Sequence, residues 1–304
     1  MTADPIPELR RVLCDDNSPD LALRFRALFS LKHLATNGNL DAIKAIAAAF
    51  SSKSALLKHE LAYCLGQCKN HAAAPFLQDV LKNLAEDNMV RHEAGEALGA
   101  LVHVDSLPLL RKYLNDPSVE VRETCEIAIA KIEWETSAAS KTEDLQSSAF
   151  ASIDPAPPLA KEADISKLQR KLMDQESSLF ERYRAMFRLR DIATPEAIDA
   201  LATGLEDKSA LFRHEIAFVF GQMSDPHSIP ALIKAAGNKN EQSMVRHEAV
   251  EALGGIADER VDQFLKEYAQ DEEVVVRDSA IVALDMAEFE RSGAFEYALI
   301  PESN

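Results

Sequence analysis

The second half of this chain has no cysteine. All four, Cys14, Cys64, Cys68 and Cys125, lie in the first half, although the two halves are duplicates of one another. A thiolate metal site or a disulfide framework in the duplicated unit requires matched cysteines. The four therefore read as reduced core thiols of a cytoplasmic protein. Glycine is scarce at 10 residues, tryptophan occurs once and aromatic residues make up 6%. Alanine, leucine and charged residues dominate instead, which suits an all-α protein better than a sheet. No apolar run reaches membrane-spanning length, and the start MTADPIPELR has no signal-peptide core, so neither a membrane nor secretion is expected. Positive charge is short: 33 Lys and Arg stand against 50 Asp and Glu, a net charge of −17. Such a surface repels nucleic acid and suits a basic partner.

What the sequence does have is one dipeptide, four times over. His59-Glu60, His92-Glu93, His214-Glu215 and His247-Glu248 use four of the eight histidines. Within each half the two copies are 33 residues apart, and the halves are offset by 155. KSALLKHELAYCLGQ (53–67) and KSALFRHEIAFVFGQ (208–222) share 9 of 15 residues. NMVRHEAGEALGAL (88–101) and SMVRHEAVEALGGI (243–256) share 10 of 14. A period in the thirties with helical patterning indicates a solenoid of stacked helical hairpins.

Three- and four-residue apolar spacing places four hairpins in each half. In the first arm (residues 1–134) the second helices fall near Asp20–Ala35, Ser54–Cys68, Asn88–Leu101 and Pro117–Trp134. In the second arm (165–290) they fall near Ser177–Ile192, Ser209–Met223, Glu241–Ile256 and Glu272–Glu290. Asp116-Pro117 and Thr194-Pro195 read as a cap followed by proline at the first helical position. Residues 135–164, rich in Ser, Ala and Pro, read as a flexible linker long enough to let one half face the other. Residues 291–304 form an unassigned tail. The outer hairpins of each half carry no His-Glu, the expected pattern if they cap a solenoid whose central hairpins hold the site.

Second helices of neighbouring hairpins pack about 10 Å apart. His59 and His92 are therefore placed to grip one metal, and His214 and His247 a second. Adjacent helix residues diverge by about 100°, so His and the following Glu cannot both aim at one atom, and one Glu of each half is free for another task. Glu96 and Glu251, four residues after their histidines, are rival ligands on geometry alone, or partners that orient the rings. Seven residues after each of the four histidines stands a glycine: Gly66, Gly99, Gly221 and Gly254. The outer hairpins have Lys32, Ile129, Arg190 and Leu284 there. Clearance for a metal or substrate is the expected purpose of these glycines, with tight helix packing as the alternative. Two histidines and one carboxylate with open positions form a facial triad suited to iron, and two such sets suggest a di-iron centre. Di-zinc or di-manganese hydrolysis is the alternative chemistry.

Four such dipeptides in two symmetric halves, with KHELAYCLGQ, RHEAGEALGA and MVRHEA around them, closely resemble the deoxyhypusine hydroxylase family over nearly the whole chain. The resemblance implies HEAT-like hairpins, eight in two four-repeat halves, around two iron ions. It implies O₂-dependent hydroxylation of a deoxyhypusine side chain on the translation initiation factor 5A precursor, completing hypusine, by a monomer. By motif position it implies His59, His92 and Glu93 on one iron and His214, His247 and Glu248 on the other. Glu60 and Glu215 are then left for the cationic substrate amines, with Met89 and Met244 lining the substrate channel. The alternative is a non-enzymatic HEAT-repeat scaffold that binds a partner on its concave face and needs no iron.

Overall fold

A computed structural model describes residues 4–18, 20–145, 147–293 and 297–298. Among them there is no strand, and eight helical hairpins account for nearly all the regular structure. In the first half the hairpins pair α1 (Ile6–Leu13) with α2 (Leu21–Thr36), α3 (Leu40–Ala48) with α4 (Ala55–Gln67), α5 (Ala74–Lys82) with α6 (Asn88–Ala100), and α7 (Leu107–Tyr113) with α8 (Val119–Thr136). The short α9 (Ala139–Thr142) follows. In the second half they pair α10 (Ile165–Leu172) with α11 (Leu179–Ile192), α12 (Pro195–Ala202) with α13 (Ala210–Met223), α14 (Ile229–Gly237) with α15 (Ser243–Ile256), and α16 (Asp262–Tyr268) with α17 (Val274–Ser292). No helix among the described residues is long and apolar enough to cross a membrane.

Local chemistry sets the helix starts. Ser54, Ser118 and Ser209 each accept a hydrogen bond from the backbone N–H three residues on, and Thr194 does the same before Pro195. At the fourth hairpin the cap is Ser118, not the expected Asp116. Asp116 accepts from the Ser118 N–H and is taken up by Arg91. The first helices are one-sided: α1 buries Ile6, Leu9, Val12 and Leu13 and leaves the rest to solvent. The second helices are buried nearly all round, as α6 is from Met89 to Gly95, and they form the inner layer.

A repeated arginine locks three of the inner helices, α6, α11 and α15, to their hairpins. Arg91 donates to the Leu81 carbonyl and to Asp116, Arg182 to Leu172 and Asp207, and Arg246 to Ala236 and Asp271. Each guanidinium caps the end of the preceding first helix and grips the turn that opens a later inner helix, 25 residues on.

The inner helices close into a ring. Within each half, every inner helix packs on the next. At the two junctions α8 packs on α11 and α13, and α17 packs on α2 and α4. The junctions repeat one bond: Ser54 Oγ lies 3.4 Å from Asp278 Oδ2, and Ser209 Oγ lies 2.6 Å from Glu123 Oε2, both residues shifted by 155. Arg26 adds a two-pronged bond to Asp285 at the first junction. The outer hairpins are therefore not solvent-facing end caps. They join the halves, because stacking them on each other buries the apolar faces that a cap would leave to water.

Close approach within the inner layer explains the four glycines, as the packing alternative expects, and Gly221 also lines the cavity at the cluster. A Cβ on Gly66 would lie 2.8 Å from the Cα of Ala97, and one on Gly254 would lie 2.6 Å from the Cα of Ala283. Gly99 meets Ala128 and Gly221 meets Ala252 in the same way. The fourth inner helix of each half has no follower at that spacing. The first packs on its follower far less extensively, so Lys32 and Arg190 have room there.

The connecting segment 135–164 holds bonds from both halves. Gln67 and Ile153 exchange two hydrogen bonds, Nε2 to the carbonyl at 3.0 Å and N–H to Oε1 at 2.8 Å. Gln222, 155 residues from Gln67, donates to Ser152 Oγ at 2.8 Å. Buried Arg190 bonds Asp154 and Gln222. Of the tail, α17 takes 291–292. Tyr297 returns to donate to Asp285, and 294–296 and 299–304 lie outside the described residues.

Candidate metal centre

The inner helices α4, α6, α13 and α15 carry the four His-Glu dipeptides, and all eight side chains are buried. Ring closure brings the histidines to one place. Centroids are 5.4 Å apart for His59–His92, 5.3 Å for His92–His214, 5.4 Å for His214–His247 and 5.3 Å for His247–His59, with His59–His214 across the middle at 5.7 Å. The two expected pairs thus form one cluster on the axis between the halves. Each histidine of the earlier hairpin meets the glutamate of the next helix: His59 Nε2 is 3.4 Å from Glu93 Oε2, and His214 Nε2 is 3.3 Å from Glu248 Oε2.

Ligand atoms lie mutually within 4.8 Å in three groups: His214–His247–Glu248, His59–His92–His214 and His92–Glu93–Glu96. The first is one expected triad. The other expected set, His59, His92 and Glu93, is spread over the second and third groups. Glu251 sits 3.4 Å from His247 Nδ1 and accepts from Ser279 at 2.7 Å, so it buttresses that ring. In the first half Thr124 stands where Ser279 does, its hydroxyl buried and without a partner.

The buried polar inventory fits a metal. Six imidazole nitrogens have no hydrogen-bond partner: Nε2 of His59 and His247, and both nitrogens of His92 and His214. Buried polar atoms left in this state are rare, and a metal ion would satisfy such a cluster. Burial, then the neighbouring imidazoles, pushes His59 and His92 well below the usual histidine range. Burial brings His247 to about 3. Neutral imidazole is the form that binds metals. Burial first, then repulsion from neighbouring carboxylates, raises Glu60 to about 8 and Glu93 and Glu215 well above the carboxylate range, and burial brings Glu96 to about 7. Burial also brings Glu251 to about 7. A bound cation reverses that cost and restores the carboxylates. The donors are nitrogen and oxygen only. Cys64 is held as a thiol against Glu60 Oε1 at 3.8 Å, and all four cysteines are unpaired.

A cavity of about 220 Å³ opens onto the cluster, lined by Glu60, Glu215, Tyr63, Phe218, Phe29 and Lys32 among others. Glu60 and Glu215 line it together with His59, Glu93, His214 and Glu248. Met89 and Met244 are each 7% exposed and are not among its lining residues. The aromatic wall escaped the sequence reading, although its signal was present. Tyr63 and Phe218 each stand four residues after a His-Glu histidine, on the same helix face, and their rings meet at 5.8 Å.

Comparison with known proteins places the chain among close relatives. A family model described as HEAT repeats matches residues 198–285, and one described as PBS lyase HEAT-like repeat matches 90–116 and 181–207. The chain is 59% identical to a deoxyhypusine hydroxylase of Neurospora crassa over 98% of its own length and 97% of the relative's. It is 57% identical to one of Aspergillus fumigatus over 99% and 95%. Among solved structures, human deoxyhypusine hydroxylase in complex with glycerol superposes with a TM-score of 0.87, at 46% identity, covering 93% of this chain and 96% of that one.

Proposed function

The chain belongs to the deoxyhypusine hydroxylase family, and from that premise we propose that it is a di-iron monooxygenase. Its substrate is then the deoxyhypusine side chain on the translation initiation factor 5A precursor, and its product is hypusine. The observation that carries the metal part is the set of six buried, unpartnered imidazole nitrogens ringed by carboxylates. In this reading His59, His92 and Glu93 hold one iron and His214, His247 and Glu248 the other, with Glu251 orienting His247. When bound, the iron pair would supply activation of O₂, so that one oxygen atom enters a substrate C–H bond and the other leaves as water, taking up two electrons from an external reductant and two protons.

The chain's own residues do the rest. Glu60 and Glu215 face the cavity beside the cluster and hold the substrate's ammonium groups by charge-assisted hydrogen bonds. Their pairing with a cationic chain restores the charge that burial disfavours. Tyr63 and Phe218 wall the cavity against water. Residues 1–134 and 165–290 serve as two arms joined through 135–164, with 291–304 as a tail. Both ligand sets lie in one chain, so a monomer suffices. Four unpaired thiols suit a cytoplasmic setting. A scaffold reading leaves the buried nitrogens without a purpose, since a partner on the surface does not reach them.

The test is metal content together with turnover. Purified protein is expected to hold about two irons per chain and to hydroxylate the deoxyhypusine-bearing precursor. Turnover by a protein free of iron, or full iron with no turnover when O₂ and a reductant are supplied, overturns the proposal.

A further inference from the structure

The cavity contains a cation of its own. Lys32, half-buried on α2, lines it, with Nζ 5.0 Å from the Tyr63 ring centroid and 5.4 Å from that of Phe29. No hydrogen bond or ion pair holds this ammonium among the described residues. Two aromatic faces hold it, a geometry that recognises alkylammonium ions.

The matching position in the other half shows what a permanently held cation looks like here. Arg190 also lies over two rings, Phe150 at 4.4 Å and Phe187 at 4.9 Å. It is fully buried and ion-paired to Asp154 at 2.8 Å and to Asp191 at 3.0 Å. The connector residues Ser152–Asp154 close over that end. At the Lys32 end, among the described residues, no carboxylate lies on the ammonium and no connector residue covers it, while Glu60 and Glu251 line the same cavity.

We infer that Phe29 and Tyr63 form an ammonium subsite of the cavity, and that Lys32 fills it as a tethered competitor until the cation of an alkyl polyamine chain displaces it. The inference rests on the reading of the cavity as a polyamine-type substrate site. It adds a specificity element that neither the metal ligands nor Glu60 and Glu215 supply. A long chain with two nitrogens keeps its carboxylate contacts and also sets one ammonium against the aromatic faces. A ligand with one nitrogen leaves the competitor in place. Because Lys32 must be displaced, its removal raises apparent affinity by the reciprocal of the fraction of time the subsite stands free of it.

Calorimetry of 1,4-diaminobutane binding to the metal-loaded full chain tests this. Lys32→Ala is expected to bind about fivefold to tenfold tighter, and Tyr63→Leu weaker by a similar factor. Tyr63→Phe, which keeps the ring, is expected to match the wild type. With the substrate protein, Lys32→Ala lowers KM and leaves kcat unchanged. Lys32→Met keeps the aliphatic stem and repeats the measurement if the alanine variant melts early. Unchanged or weaker binding by the Lys32 variants at unaltered Tm overturns the inference, as does absence of diamine binding throughout. A protein that shows the Lys32 effect but does not hydroxylate removes the proposed function and leaves the subsite standing.

Discussion

His59 and His214 face each other across the axis that relates the two halves, 5.7 Å between ring centroids. They occupy the same position in the duplicated sequence, 155 residues apart. Neither half alone completes the cluster, because each supplies two of its four rings.

Histidine removal should therefore cost the site metal. His59→Ala and His247→Ala are each expected to fall from about two irons per chain to about one or fewer, since a triad stripped to two ligands holds its metal poorly. Metal analysis with an ultraviolet–visible spectrum measures this, and full retention in both variants sinks the ligand assignment.

The glutamates should separate into two classes. Glu60→Ala and Glu215→Ala are expected to keep iron and lose affinity for the substrate protein, whereas Glu93→Ala and Glu248→Ala lose iron. Glu60→Gln keeps the shape and removes the charge, so substrate binding should still weaken markedly. Equal iron loss from Glu60→Ala and Glu93→Ala would contradict the division. Full iron in Glu93→Ala and Glu248→Ala would promote Glu96 and Glu251 to ligands.

Two adjacent glycines should behave oppositely. A Cβ at Gly254 lies 2.6 Å from Ala283 Cα and 2.7 Å from its carbonyl oxygen, whereas the nearest such neighbour of Gly255 is 4.0 Å away. Gly254→Ala is expected to cost about 2–3 kcal/mol. Gly255→Ala should be neutral or stabilising by up to about 1 kcal/mol. Urea unfolding of the metal-loaded protein reads both, and equal effects would remove the close-approach account.

Acid should weaken the arginine locks. Burial tends to raise Asp116, but hydrogen bonds from Arg91 and the Ser118 N–H outweigh it and hold the carboxyl below its ordinary range. Asp207 and Asp271 are lowered in the same way, by the Ser209 N–H with Arg182 and by Arg246 with the Glu273 N–H. A carboxyl lowered by folding adds stability above its unfolded pKa and loses it as pH falls through the folded one, here below about pH 4. Asp116→Asn is expected to lower Tm at pH 7, with the gap to the wild type closing below about pH 4. A gap that stays constant down to pH 2.5 would show that the lock is not electrostatic.

The sequence carried the hairpins and the buried quartet because both are periodic: helix faces repeat every 3.6 residues and the dipeptide every 33. What it did not carry depends on which helix stands opposite. The purpose of Gly66 or Gly254 is visible only once Ala97 or Ala283 is known to face it. The Gln67 and Gln222 bonds to Ile153 and Ser152 join residues without shared periodicity, so 135–164 read as plain linker. The distribution of Glu93 and Glu96 around His92 depends on rotamers that spacing does not set.

Ring closure fixes the repeat number. An open stack of hairpins grows or shrinks by one unit with little effect on the rest, since each unit touches only its neighbours. Here the Ser54–Asp278 and Ser209–Glu123 junctions must both meet while four rings converge on one point. One added hairpin would widen the circle and pull His59 from His214, so the length of this protein is set by the circumference of its centre.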